Sequence, residues 1–410
     1  MEDPGEINYS TLSYTLTKQI NKKDKKANGI YFTSPKIIIK NLIFLEPYMK
    51  NIKNVLEPSC GSCEYLLMLH KRFNNLKITG IEFNKTIFES IKSFENNSIK
   101  LYNEDYLTFK NPIKYDLIIG NPPYYVMKKK NVDSSYYSYF DGRPNIFILF
   151  IIKSLQLLND NGILSFVLPK NFLNCLYYNK TRKYISNNFE ILKILECGDD
   201  YIETKQKTII IILRKTVENN FINNEFILNN GKYTIFGLPK NIIKLKSLYN
   251  DSTTLQILDF KVNVGNVVWN QCKTDLTTDK SKTLLIYSSD IKCKKLIIQS
   301  YSNKDKKNYI NKTGITGPLL VINRGYGMGK YKFNYCLIEG KSDYLVENHL
   351  ICIKYTKIIS NEKLHILYRK IMKSFECKKT QEFINLYFGN NAINTTELRE
   401  ILPIYLYPKT

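Results

Sequence analysis

Histidine is scarce in this chain, with three (His70, His349 and His365) in 410 residues. Zinc-hydrolase and histidine-nuclease chemistries need imidazoles clustered at close spacing, so both are disfavoured. Acid is short too: 37 Asp and Glu stand against 60 Lys and Arg, leaving +23 with histidine neutral. That surplus favours a polyanionic partner, either nucleic acid or an anionic membrane surface. Lysine enrichment from an AT-rich genome, spread over a solvated surface, is the competing explanation. Long apolar runs are also missing. The longest, Ile146 to Leu158, is cut by Lys153 and is too short to span a bilayer. The first six residues, Met-Glu-Asp-Pro-Gly-Glu, are acidic and polar, unlike a secretory signal, so a cytoplasmic location is expected. The nine cysteines are odd in number and follow no regular spacing, which predicts reduced and mostly buried thiols.

What is present is a large globular core, since 43% of residues are hydrophobic. Short apolar strands alternate with helical patterns through the first half. Val55-Leu56 runs into the turn Glu57-Pro58-Ser59-Cys60-Gly61-Ser62, and a helix follows from Glu64 to about Phe73. Strands at Ile78–Ile81, Ile99–Tyr102 and Asp116–Gly120 end at Glu82, Asp105 and Asn121. A helix over Pro144–Leu158 precedes strands at Gly162–Leu168 and Thr208–Leu213. This alternation predicts a doubly wound, mostly parallel α/β sheet, in which ligands sit beyond the carboxyl ends of the strands. After Lys215 the pattern changes to shorter, mixed segments. The expected domains are therefore 1–220 and a mixed α+β domain over 221–410.

The most informative segment is Asn121-Pro122-Pro123-Tyr124, directly after a buried strand. An amino group on an aromatic ring is a poor nucleophile because its lone pair is delocalised. The Asn121 side-chain carbonyl and the Pro122 backbone carbonyl can each accept from such an NH2, drawing the nitrogen towards tetrahedral geometry. Two prolines fix φ and remove two donors, so the loop presents carbonyls. Tyr124 offers a face for an extruded base. An ordinary Asn-Pro turn is the plain alternative. The other strand ends add to the chemical reading. Glu82 can accept both ribose hydroxyls of an adenosine ligand, and Asp105 can accept from an adenine amino group, with Phe83 or Tyr106 packing on the ring. A helix cap or a turn would explain each of these acids singly.

With these residues in place, the sequence resembles the S-adenosylmethionine-dependent DNA adenine-N6 methyltransferases of the γ order, in which cofactor binding precedes catalysis and target recognition comes last. Gly29-Ile30-Tyr31-Phe32-Thr33-Ser34-Pro35 is similar to the family's Gly-x-Tyr-Phe-Thr-Pro-Pro segment, whose threonine contacts the methionine part of the cofactor. Leu56–Leu66, with Glu57, Pro58, Ser59, Cys60 and Gly61, resembles its cofactor loop. Glu82 matches the ribose ligand, Asp105-Tyr106 the adenine contact, and Asn121, Pro122, Pro123 and Tyr124 the catalytic tetrapeptide. Tyr201 resembles the aromatic that helps hold the flipped adenine. Gly265–Asn270, Asn323–Gly327, Glu347-Asn348-His349 and Gly389-Asn390-Asn391 look like recurring pieces of the family's recognition domains. The resemblance implies a class I, Rossmann-like methyltransferase fold, S-adenosylmethionine as cofactor, duplex DNA as partner, no metal and a monomer.

Two departures stand out. Ser34 replaces a proline, and Cys63 replaces a glycine of the loop. If position 63 needs positive φ, a Cβ there is costly; if it already opens the helix, it is harmless. Cys60-x-x-Cys63 also fits a redox or zinc pair. Lys128, Lys129, Lys130 and Arg143, interleaved with Tyr136, Tyr137 and Tyr139, suit contacts to phosphate and unpaired bases, as does Arg324 in its Gly-rich loop. A solvated charge run, or a structural ion pair for Arg324, is the alternative. Two other functions stay open: transfer to RNA adenine or a protein glutamine amide, and a DNA-binding protein whose catalytic site has decayed. Glu339-Gly340-Lys341 is an isolated Glu-x-Lys, so any cleaving activity is expected in a separate, cognate nuclease.

Overall fold

The computed structural model describes residues 8–198, 203, 206–217, 225–325, 329, 331–388 and 392–407. The chain divides into two compact units, Met1–Ile242 and Ile243–Thr410.

The first unit is built on seven strands: β1 (Asn54–Glu57), β2 (Lys77–Ile81), β3 (Ile99–Tyr102), β4 (Tyr115–Gly120), β5 (Leu158–Pro169), β6 (Glu190–Glu196) and β7 (Thr208–Arg214). Their order across the sheet is β3-β2-β1-β4-β5-β7-β6. Strands β1 to β5 pair in parallel, and β7 runs antiparallel to both β5 and β6. Each central strand feeds two cores, because successive side chains point to opposite faces. Leu56, Ile118, Leu164 and Ile211 enter one core. Val55, Leu117, Ile119, Ile163, Ile210 and Ile212 enter the other. Burial on both faces explains why the strands read as unbroken Val/Ile/Leu runs.

Helices α1 (Thr11–Gln19), α2 (Lys22–Asn28), α3 (Pro35–Leu45), α4 (Glu64–Arg72), α5 (Lys85–Ile91), α6 (Ile146–Leu157) and α7 (Asn179–Asn188) complete the unit. Residues of α3, α4 and α5 fill one core, and residues of α6 and α7 fill the other. The hairpin Ile227–Asn230/Tyr233–Phe236 also belongs here. Ile227 and Phe236 enter the α6 core, and fully buried Arg182 donates from Nε to the Thr234 carbonyl at 2.6 Å. The first unit thus extends past the 220/221 boundary read from the sequence.

The strand order reverses between β1 and β4, which opens a crevice at their carboxyl ends. The chain before α3 borders it. Helix α2 ends on Gly29, a left-handed C-cap at φ 65°. A Cβ on Gly29 would lie 2.6 Å from the Tyr124 nitrogen and 3.1 Å from Pro123 Cβ, so this backbone approach requires glycine.

The second unit holds an antiparallel sheet of Phe260–Val264, Leu350–Tyr355, Leu319–Asn323 and Tyr335–Ile338. A second, mixed sheet contains Leu276–Thr277, Tyr309–Ile310, Thr283–Ile286 and Tyr344–Val346. Two of the recurring pieces meet in this unit: Val267 bridges Glu347, and Gly265 donates to the Leu350 carbonyl at 2.9 Å. Gly389, Asn390 and Asn391 lie outside the described residues. The Glu339 carboxylate is engaged by His365 at 2.7 Å, so the Glu-x-Lys motif is part of a turn and an ion pair. No helix of the described residues is long and apolar enough to cross a membrane.

Gly29→Ala should destabilise the first unit by about 2 kcal/mol or more, because it adds a left-handed Cβ and a backbone clash. Urea unfolding of the two proteins measures this; an unchanged midpoint would show that the two segments are not in contact.

Candidate active site

A cavity opens at the reversal point, lined by the 28–32 segment, Pro58, Ser59, Gly61, Glu82, Phe83, Asp105, Asn121 and Pro123, with Tyr125, Met127, Ile146 and Phe150 on one wall. Its charge is the reverse of the chain's. Glu82, Glu104 and Asp105 face it, and among the described residues no lysine or arginine lines it. Such a lining repels phosphate and suits a cation.

Each side chain is held by its strand end. Glu82 follows β2 and is buried. Its Oε2 accepts from Gly61 N at 3.0 Å and its Oε1 from Asn84 N at 2.7 Å. Burial pushes its carboxyl up to about 7, partly offset by the backbone N–H groups of Asn84, Gly61 and Phe83. Gly61 sits at φ 52°, and a Cβ there would touch the Phe32 ring at 3.4 Å, which leaves a narrow cradle between loop and aromatic. Phe83 is 68% exposed beside this cradle. Asp105 stands three residues beyond the end of β3, exposed, with Oδ1 accepting from Leu107 N at 2.9 Å.

Asn121 follows β4. Its Nδ2 donates to the Tyr31 carbonyl at 3.4 Å, and its Oδ1 accepts from the Tyr124 hydroxyl. That hydroxyl also lies 2.7 Å from the Val167 carbonyl. A phenol has one proton, so it donates to one of these acceptors at a time. The amide orientation is therefore fixed: nitrogen towards Tyr31 and oxygen towards Tyr124. Ser59 Oγ donates to the Asn121 carbonyl at 3.2 Å and ties the β1 loop to the β4 loop. The Tyr124 ring packs edge-on against Phe147, with centroids 5.9 Å apart.

Several residues singled out from the sequence stand behind this lining. Glu57 is 3% exposed, and its Oε2 has no hydrogen-bond partner among the described residues. Burial, and then the nearby Cys63, Glu82 and Glu64, hold its carboxyl well above the usual range. Thr33 and Cys60 are buried. Tyr106, by contrast, does line the cavity, but it is buried with its hydroxyl 2.8 Å from Ser154 Oγ, which leaves Phe83 as the exposed aromatic. Cys63 is in the left-handed region at φ 62°, so the first of the two alternatives for this position holds. It bears the Cβ cost while filling a fully buried site. A hydrogen bond to Cys63, then burial, pushes the Cys60 thiol up, and both side chains are packed in the core. No group of three or more His, Cys, Asp or Glu among the described residues is placed to hold a metal. Ser34 caps α3 through its backbone, its carbonyl accepting from Ile37 N at 2.9 Å.

Lys128, Lys129, Lys130 and Arg143 are exposed on an excursion closed at its neck, where Met127 N donates to the Pro144 carbonyl at 2.8 Å. Lys129 Nζ sits 4.5 Å from the Tyr137 ring centre. Arg324 is exposed in the second unit, with no ion pair among the described residues. Tyr201 lies outside the described residues. Helix α1 was not foreseen. Its fully buried Ser13 places a hydroxyl 2.7 Å from Glu64 Oε1 and 2.8 Å from Ser62 Oγ, bracing the cofactor loop. Ser10, which caps α1, was its local signal.

Residues 6–202 match the model of the Eco57I restriction-modification methylase family. The match covers most of the first unit. The chain is also similar, over nearly its whole length, to two proteins of Paramecium bursaria Chlorella viruses. The type II methyltransferase M.CvrRI of virus XZ-6E is 28% identical over 398 residues, covering 96% of this chain and 98% of the relative. The modification methylase CviBIII of virus NC1A is 28% identical over 408 residues, with the same coverage of 96% and 98%. Among solved structures, a DrdV–DNA complex shares the fold with TM-score 0.58 at 13% identity, covering 97% of this chain and 57% of that one. The cofactor of the chain is S-adenosylmethionine, a sulfonium cation. The acid-only lining, the Gly61–Phe32 cradle and the Glu82 carboxylate fit it.

Were Glu82 to accept two ribose hydroxyls it would have to be ionised, and its raised value would make cofactor affinity pH-dependent. Affinity should strengthen as pH rises from about 6 to 8, through the value near 7. In Glu82→Gln it should be weak and flat across that range. Calorimetric titration checks this; equal slopes in both proteins would remove Glu82 from the ribose site.

Proposed function

We propose that the protein is a site-specific DNA methyltransferase acting on N6 of adenine flipped out of duplex DNA. The observation that carries this reading is the Asn121 amide, pinned by Tyr31 so that its oxygen is available to a donor, beside the Pro122 carbonyl and at the rim of an acidic cavity. Two acceptors side by side suit an exocyclic NH2. The Tyr124 hydroxyl can keep its hydrogen bond with Val167 while Asn121 Oδ1 turns to the incoming amine. Transfer to a ring carbon would instead need a nucleophile such as a thiolate, and no cysteine lines the cavity among the described residues.

In this reading Glu82 holds the ribose, Asp105 and Phe83 the adenine of the cofactor, and the loop from Pro58 to Gly61 its amino-acid part. The bound cofactor supplies an already activated methyl group. Asn121 and Pro122 localise the N6 lone pair for in-line attack. The N–C bond forms as the C–S bond breaks, and the surplus N6 proton leaves to solvent. Tyr124 stacks on the extruded base, which Tyr201 helps to hold and whose unpairing costs a few kcal/mol. Lys128, Lys129, Lys130, Arg143 and Arg324 contact phosphate or base edges, and the second unit reads the target sequence. The full-length similarity to a type II methyltransferase and the fold shared with a DNA-bound enzyme support duplex DNA over RNA or protein amide. The enzyme acts as a monomer, and any restriction partner is a separate protein.

Asn121→Ala should cut transfer of labelled methyl to long duplex DNA by about 10³-fold, the scale of losing one organised polar contact in a transition state. DNA affinity should stay within about threefold. Parallel loss of binding would make Asn121 structural, and label appearing only in RNA or protein would overturn the substrate.

A further inference from the structure

Lys153 interrupts the most apolar helix of the chain, and the site described above makes no use of it. Its ammonium is half-buried and points at the turn after β3. Nζ lies 2.5 Å from the Tyr106 carbonyl, 3.0 Å from that of Leu107 and 2.7 Å from that of Phe109. An ammonium has three protons, and here three carbonyls receive them. The same face of α6 grips the turn twice more, at positions spaced i, i+3 and i+4. The Phe150 ring packs on Tyr106 with centroids 4.9 Å apart, and Ser154 meets the Tyr106 hydroxyl at 2.8 Å.

The turn needs this support. It lies beyond the end of β3, and its own backbone bonds all converge on Asp105, whose carbonyl accepts from Thr108 N at 3.1 Å and Phe109 N at 2.9 Å. The carbonyls of 106, 107 and 109 would otherwise be turned towards an apolar helix, where an unmet acceptor is costly. Burial lowers the Lys153 pKa, and the Asp105 charge opposes that shift, so the two side chains sense each other. Asp105 Oδ1 is held by Leu107 N, and the residue faces the cavity.

We propose that Lys153 is a positioning residue for cofactor recognition: it fixes the 105–109 turn so that Asp105 meets the amino group of the cofactor's adenine. The inference rests on the reading of the cavity as the S-adenosylmethionine site. It explains why an otherwise apolar helix carries a charge at this position.

The test compares S-adenosylhomocysteine with S-inosylhomocysteine, in which a carbonyl replaces the adenine amino group, by calorimetry on the full chain. Wild type should prefer the adenosyl ligand by about tenfold or more, the worth of one charged hydrogen bond. Lys153→Met should lose most of that preference and raise the KM for S-adenosylmethionine about tenfold, with kcat within about threefold. Lys153→Gln, which keeps amide donors and is the gentler change, should fall between the two. Asp105→Asn should lose the preference as well, and adding Lys153→Met to it should change little more. If Asp105→Asn loses the preference while both Lys153 variants keep it, the inference is overturned. If Asp105→Asn keeps it, the reading of the cavity fails, and the inference with it. Equal losses in KM and kcat with the preference intact would make Lys153 merely structural, which also overturns it.

Discussion

An amide can serve as an acceptor in catalysis only if its oxygen and nitrogen cannot exchange places. The Asn121–Tyr31 hydrogen bond imposes that constraint, and much of the first unit is arranged around it. The Tyr31 carbonyl is in position because the chain leaves α2 through a left-handed Gly29 and passes against Pro123 and Tyr124 at backbone distance. Asn121 is in position because β4 is buried in the sheet beside the reversal of strand order. Ser59 then ties the neighbouring loop to the same residue. Local turn chemistry and sheet topology therefore meet at one side chain.

Electrostatics separates the two ligands the chain must hold. A surplus of 23 positive charges suits a polyanion, whereas the cavity presents carboxylates alone. A uniformly basic surface would attract a phosphate backbone but repel a sulfonium cofactor. Segregating the acids at strand ends directs each to its own place. Burial carries a cost here: Glu57 and Glu82 both bind protons more tightly in the folded protein than in the unfolded chain. They therefore favour folding most fully at low pH, and that contribution is lost as pH rises; for Glu82 the loss is complete above about 7. A bound cation would offset the same cost.

The strand-end residues were legible from sequence because parallel strands buried on both faces have an unmistakable pattern and end in polar residues. The parts that were not legible depend on distant neighbours. Edge strand β6 mixes Glu190, Lys193 and Glu196 with its apolar residues, as a half-solvated edge does, and shows no clean period. Whether Cys63 was strained or harmless turned on a single φ angle. Thr33 and Cys60 lie in the right loops but are buried behind the lining, a distinction of side-chain direction that spacing does not fix. The roles of Ser13 and Lys153 arise from contacts 49 and 47 residues away.

The central claim is that an exocyclic adenine amine receives the methyl group between Asn121 and Pro122. Mass spectrometry of nucleosides from duplex DNA incubated with the wild-type protein and S-adenosylmethionine tests it most directly. The account predicts N6-methyldeoxyadenosine as the sole new product. Methylation at cytosine, or no modified nucleoside in DNA carrying many candidate sequences, would contradict it.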